Sequence, residues 1–272
     1  MKEINTEWMS ALSKFDKKQT QKPQETSNNK IDWLNVNKAY KKKLTFKVMP
    51  ANSKENKIFA WVVGTHWNLG SENMRFICPE QTLHLRLANE NVICPICEAK
   101  RKLRSLGFTD AELSTEGRFG PVSMFDPKIT SNIKVVALES DIQQFDRKHI
   151  SILQQNGSYT ARWLAEKHES SEWPDFLQVQ SSNPIKFSRE RDTGKWEREL
   201  VFNQMNFDEN TVAELQAQNE ELTMADLWKM PTDEEILKAK EIADSLVKSF
   251  IDARDAAKNA SQYSLSNDEI PF

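Results

Sequence analysis

All three cysteines of this chain, Cys78, Cys94 and Cys97, fall within twenty residues, and two histidines, His66 and His84, lie beside them. Such clustering constrains the fold, because separate stretches of chain must meet at one point. Zinc prefers four tetrahedral thiolate and imidazole ligands, and a Cys-Pro-Ile-Cys turn brings two sulfurs to one ion with little backbone strain. Eleven, fifteen and two residues separate His66, Cys78, Cys94 and Cys97. Spacing permits either histidine as the fourth ligand. His66 is preferred, because it follows directly on the apolar segment 58–63, which reads as a strand that would hold it rigidly. Four protein ligands leave no open coordination position, so one structural zinc ion is expected, its binding coupled to folding.

Composition narrows the function class. A mean hydropathy of -0.67 and 28% charged residues exclude a long apolar span, and the polar start Met1-Lys2-Glu3-Ile4-Asn5 lacks a signal-peptide core. Cytoplasmic residence is the expectation, in keeping with the few cysteines. There is no Walker loop and no carboxylate cluster at catalytic spacing, and seven glycines are few for a phosphate cradle. A non-enzymatic role is expected. Residues 208–272 hold 15 acids and 6 bases, a balance of -9, against 31 bases and 25 acids, +6, before them. A basic body followed by an acidic end fits a polyanion-binding protein whose end restrains or reports the binding.

Ile4, Trp8, Leu12 and Phe15 recur at helical spacing, so residues 1–30 read as a short amphipathic arm followed by a polar, basic linker. From Tyr40 the texture changes to short strands at 44–49, 58–63, 74–77, 133–138, 176–179, 185–191 and 196–202, with helices at 98–106, 141–155 and 159–167. This pattern predicts an α+β core over 31–206 built on a small barrel or strongly curved sheet. Residues 207–260 read as a helical C-terminal region, with helices at 209–221, 224–228 and from 232 to about 260. Thr232 and Glu235 form a capping box at the start of the last, and Ile236, Ala239, Ala243, Leu246 or Val247, and Phe250 form its apolar stripe. Residues 261–272 read as a tether carrying a terminal peptide.

The candidate polyanion surface comprises Lys41, Lys42, Lys43 and Lys47, placed outward by the alternation of Leu44, Phe46 and Val48. Trp61, Trp67 and Arg75 lie around the metal ligands, and Arg118, Phe119 and Phe125 follow. Phe187, Arg189 and Arg191 share one face of a strand leading into an Asp192-Thr193-Gly194 turn. Arginines beside exposed aromatics offer charge for phosphates and flat faces for unstacked bases. At the terminus, Asp268, Glu269, Ile270, Pro271 and Phe272 combine acids, an aromatic ring and a free carboxylate suited to a basic-rimmed apolar pocket on a partner.

That terminal peptide resembles the acidic tip of bacterial single-stranded-DNA-binding proteins, which implies recruitment of replication and repair proteins. Phe46-Lys-Val-Met-Pro50, Phe59-Ala-Trp-Val-Val63, His66, Cys78 and Cys94-Pro-Ile-Cys97 together resemble the zinc-containing single-stranded-DNA-binding proteins of T-even-type phages. The resemblance covers roughly residues 40–105. It implies an OB-fold, cooperative coating of single-stranded DNA in replication, recombination and repair, copy-to-copy contacts through the N-terminal arm, and a phage protein acting in an infected bacterial cytoplasm. The Cys78 to Cys94 interval is longer than in that family, and the arm is less basic. A zinc-containing adaptor of the replication or transcription machinery, binding proteins first, is the alternative expectation.

Overall fold

The computed structural model of the 272-residue chain describes residues 32–35, 43–55, 59–70, 73–117, 120–123, 125–140, 148–169, 176–189, 196–202 and 205–266. The N-terminal arm, the Asp192-Thr193-Gly194 turn and the terminal peptide lie outside the described residues.

The chain folds as a mixed α+β structure around one large, mostly antiparallel sheet. Its strands are β1 (Asp32–Asn35), β2 (Leu44–Val48), β3 (Ala60–Leu69), β4 (Met74–Cys78), β7 (Lys128–Ser140), β8 (Ile150–Asn156), β10 (Ile185–Arg189) and β11 (Trp196–Leu200). The main path runs β1-β8-β7-β2-β10-β11, with β3 paired to β7 and β4 to β3. The long strand β7 organises it. One edge of β7 pairs with β3 and then with β2, while the other pairs with β8. Among the described residues, only β1 against β8 is parallel. Short pairs are added by β5 (Ser114–Gly117) with β6 (Gly120–Ser123) and by β9 (Ser181–Ser182) with β12 (Met205–Asn206).

Both faces of this sheet are covered. On one, Leu34, Phe46, Val48, Ile133, Val135, Leu153, Ile185 and Phe187 pack with Leu164 of α4 (Tyr159–Glu169) and with Phe176. On the other, Val136, Leu138 and Ile150 meet Leu215 of α5 (Glu209–Glu221), while Trp61, Val63 and Ile152 meet Met224 and Trp228 at the two ends of α6 (Met224–Leu227). Side chains of both parities are therefore buried, as in strands packed on two sides. The C-terminal helical segment is thus one layer of the core.

A second lobe holds α1 (Leu83–Ala88), α2 (Pro95–Ser105) and α3 (Asp110–Leu113). Its core joins Phe76, Cys78, Cys94, Ile96, Leu103, Phe108 and Phe125 to Ala239, Ala243, Val247 and Phe250 of the long helix α7 (Asp233–Ser266). The capping box at Thr232 and Glu235 is formed, each residue bonding the other's backbone N–H. Arg254 donates to the Leu106 carbonyl at the end of α2 and lies 4.0 Å from the Phe108 ring.

Two expected elements are replaced. The helix expected over 141–155 gives way to strand β8 from Ile150, where Ile150 and Ile152 are buried on one face of the sheet and Leu153 on the other; 141–147 lie outside the described residues. The strand expected over 176–179 is a turn whose Phe176 plugs the core edge-on to Phe59 and His168. Among the described residues no helix is long and apolar enough to cross a membrane.

Candidate metal centre

The β3–β4 hairpin and the start of α2 converge on one buried point. His66 lies on β3 opposite Phe76 of β4, and Cys78 ends β4 opposite Gly64. Cys94 is the N-cap of α2, Pro95 opens the helix with its fixed φ, and Cys97 falls in the first turn. The ligand atoms of His66, Cys78, Cys94 and Cys97 all lie within 4.8 Å of one another. His66 Nε2 is 3.3 Å from Cys94 Sγ and 3.7 Å from Cys97 Sγ, and Cys78 Sγ is 3.6 Å from Cys97 Sγ. A sulfur separation of 3.6 Å far exceeds the ~2.05 Å of a disulfide, so the thiols are free. Buried soft donors at these separations fit a single structural metal ion.

Several contacts position the donors. At Gly64 an added Cβ would lie 2.6 Å from Gln81 Cβ. Glycine there lets the turn Pro79–Gln81 lie directly on β3, where Thr82 Oγ1 accepts the Gly64 N–H at 3.2 Å. Glu80 in that turn accepts the Cys94 N–H at 2.7 Å and a bidentate pair from Arg101 at 2.9 Å. The Arg101 pairing holds the Glu80 carboxyl below the usual range. His66 Nδ1 is buried without a partner among the described residues, so the ring's bonding capacity is directed at the sulfurs.

The electrostatics favour a cation. Hydrogen bonds from Cys78 and then Cys97 pull the Cys94 thiol far below its ordinary value despite burial. The hydrogen bond with Cys94 pushes the Cys78 thiol up, and those with Cys78 and Cys94 push Cys97 up. Protons alone therefore let one thiol of the three ionise readily. A divalent ion removes that conflict by stabilising all three thiolates at once.

His84, the competing ligand, sits elsewhere. Its Nε2–H donates to the Trp228 carbonyl at 2.6 Å, its ring lies 4.3 Å from Trp61, and burial lowers its basicity.

Of the residues expected to bind a polyanion, Trp67 and Arg75 stand together on the surface. Trp67 is 49% exposed, and the Arg75 guanidinium lies 4.9 Å from its ring and 5.0 Å from that of Trp228. Lys43 is exposed immediately before β2, and Arg189 ends β10. Lys41, Lys42, Arg118, Phe119, Arg191 and the tip Asp268, Glu269, Ile270, Pro271 and Phe272 lie outside the described residues.

Four expectations are corrected. Lys47 does point away from Phe46, but that face of β2 is covered too: its Nζ is buried without a hydrogen-bond partner among the described residues, 5.1 Å from the Phe207 ring. Trp61 is buried beneath Met224 and Trp228. Phe125 is buried against Phe250 of α7. Phe187 shares the inward parity of Ile185 and packs edge-on to Phe46 at 4.9 Å. None of these four offers a surface to a ligand.

Two neighbouring tryptophans, exposed Trp33 and buried Trp228, escaped the sequence reading of the ligand surface. Trp33 on β1 is 41% exposed and meets Trp228 edge-on at 6.0 Å. Neither shows locally that it meets the other, since Trp33 belongs to a four-residue strand and Trp228 ends a short helix far along the chain. Compared with known proteins, the chain matches no family model and no curated protein.

Proposed function

We propose that this chain binds single-stranded DNA through an OB-type sheet whose β3–β4 hairpin is stapled by one zinc ion. The observation that carries the reading is the pairing of exposed Trp67 with Arg75 on that hairpin, 4.9 Å apart. An aromatic face beside a guanidinium offers a stacking surface for an unpaired base and a charge for its phosphate, worth ~1 to 3 kcal/mol per base.

Zinc is the ion the donors fit best. Tetrahedral bonds of ~2.3 Å to sulfur and ~2.0 Å to nitrogen imply separations of ~3.8 Å between sulfurs and ~3.5 Å between sulfur and nitrogen. The separations of 3.6 Å between sulfurs and 3.3 and 3.7 Å from nitrogen to sulfur lie close to these. With four protein donors the ion is structural: it fixes the hairpin that presents Trp67 and Arg75. The long β7, shared by β2, β3 and β8, supports a curved, barrel-like sheet. The basic balance of residues 1–207 and the acidic balance of the rest support a polyanion as ligand. On this reading the chain coats single strands in phage replication, recombination and repair, residues 1–30 contact neighbouring copies, and Asp268 to Phe272 recruit partner proteins.

The test is a fluorescence-anisotropy titration of zinc-loaded protein with labelled dT oligonucleotides over a salt series. Binding that falls steeply with salt, by ~0.7 log units per log unit of salt for each phosphate neutralised, and that exceeds binding to duplex is expected. Indifference to dT oligonucleotides at low salt refutes the proposal.

A further inference from the structure

The surface around Trp67 is longer than the hairpin. Trp33, Trp228, Arg75 and Trp67 stand in series, with successive spacings of 6.0, 5.0 and 4.9 Å. They come from β1, the end of α6, β4 and β3, four separate stretches of chain. Trp33 aligns across the sheet with Ile152, which lies on the face bearing Trp61 and Val63 and covered by Met224 and Trp228. That cover stops short at both sides. Trp228 is 4% exposed, while Trp33 and Trp67 at the two ends are 41% and 49% exposed. Single exposed apolar residues are ordinary, but several aromatics in one contiguous series mark a surface suited to a ligand.

We propose that Trp33 is a second base-stacking platform, paired with Trp67 across a spacer formed by buried Trp228 and the Arg75 guanidinium. The inference rests on the single-strand reading above and assigns it a register. The two outer rings lie at most about 16 Å apart along the series, which at the ~3.4 Å spacing of stacked nucleotides corresponds to a run of about five at most. Arg75 is a positioning residue as well as a charge: its guanidinium carbon lies 4.9 Å from the Trp67 ring and 5.0 Å from that of Trp228, a two-ring contact that the compact ammonium of lysine does not make. Trp228 is itself pinned, its carbonyl accepting the 2.6 Å hydrogen bond from His84 Nε2. Planar groups in series with one cation suit an unpaired polynucleotide, whose flat faces and charges alternate in the same way.

The experiment measures affinity for dT12 and rU12 using the zinc-loaded full chain and its Trp33→Ala, Trp67→Ala, double, Trp33→Phe and Arg75→Lys variants. Metal content and circular dichroism serve as controls for folding. Each alanine variant is expected to bind five- to a hundredfold more weakly, with the two losses multiplying in the double variant. Trp33→Phe should recover much of the loss, and Arg75→Lys should weaken binding while keeping the salt slope. Equal losses on rU12 support the ladder and extend it to RNA. If the wild type binds dT12 and folded Trp33→Ala binds equally well, the ladder is wrong and the single-strand reading stands. A wild type that binds neither oligonucleotide overturns both.

Discussion

Replacing Lys47 with methionine should stabilise this protein at neutral pH, the reverse of what removing a strand residue ordinarily does. The side chain is 1% exposed and its Nζ has no hydrogen-bond partner among the described residues, with the Phe207 ring 5.1 Å away as weak compensation. Burial lowers its pKa from 10.5 to about 8. At ~1.4 kcal/mol per tenfold change, that displacement corresponds to about 3 kcal/mol of unfavourable desolvation for the charged form. Partial rearrangement of the stem toward water reduces this, so a gain of roughly 1 to 3 kcal/mol is expected for Lys47→Met at pH 7. The sign with pH follows from proton uptake. Between about pH 8 and 10.5 the unfolded chain holds the proton that the folded chain has shed, so wild-type stability rises with pH across that window. Below it the penalty is present in full. Urea unfolding of both proteins at pH 7, 8, 9 and 10, with zinc held constant and slopes compared, should show an advantage that shrinks toward zero by pH 10. A methionine variant less stable than the wild type at pH 7, or an advantage unchanged across the series, refutes the reasoning and implies a partner or solvent at Nζ.

The buried pair between Lys134 and Glu55, at 2.7 Å with both side chains fully buried, should behave oppositely. Lys134→Met or Glu55→Gln alone is expected to cost about 3 to 5 kcal/mol in urea unfolding, and Lys134→Met with Glu55→Leu to recover most of it. Cys94→Ser should abolish stoichiometric metal in the purified chain and open the second lobe to limited proteolysis. Gly64→Ala forces β3 away from the Pro79–Gln81 turn, and should cost ~1 to 3 kcal/mol and weaken metal retention in a chelator competition.

What could be read in advance follows how local each signal is. The four metal ligands were legible because their chemistry is rare and clustered, and His66 was separable from His84 by the strand before it. Helix α5 and the start of α7 were legible from a continuous helical pattern and from Thr232 with Glu235. The lysine at 47 was misread because alternation reports which side of a strand a residue takes, while the cover on that side comes from Phe207, some 160 residues away in the chain. Phe187 went wrong for the related reason that an aromatic beside arginines reads alike whether it faces core or water. Trp33 and Trp228 carried no signal, since their meaning lies in a juxtaposition of four chain segments. The roles of Glu80 and Arg101, which hold the Cys94 backbone, were hidden likewise.

Cys78 and Cys94 do more than supply sulfur: they are the floor on which Ala239, Ala243, Val247 and Phe250 rest. A metal ion held by those sulfurs would therefore also support the final helix. Were that ion withdrawn, a helical rod of 34 residues, some 50 Å long and net negative, would lose part of its floor beside the arginine-bearing surface proposed above, where it would compete with an anionic ligand.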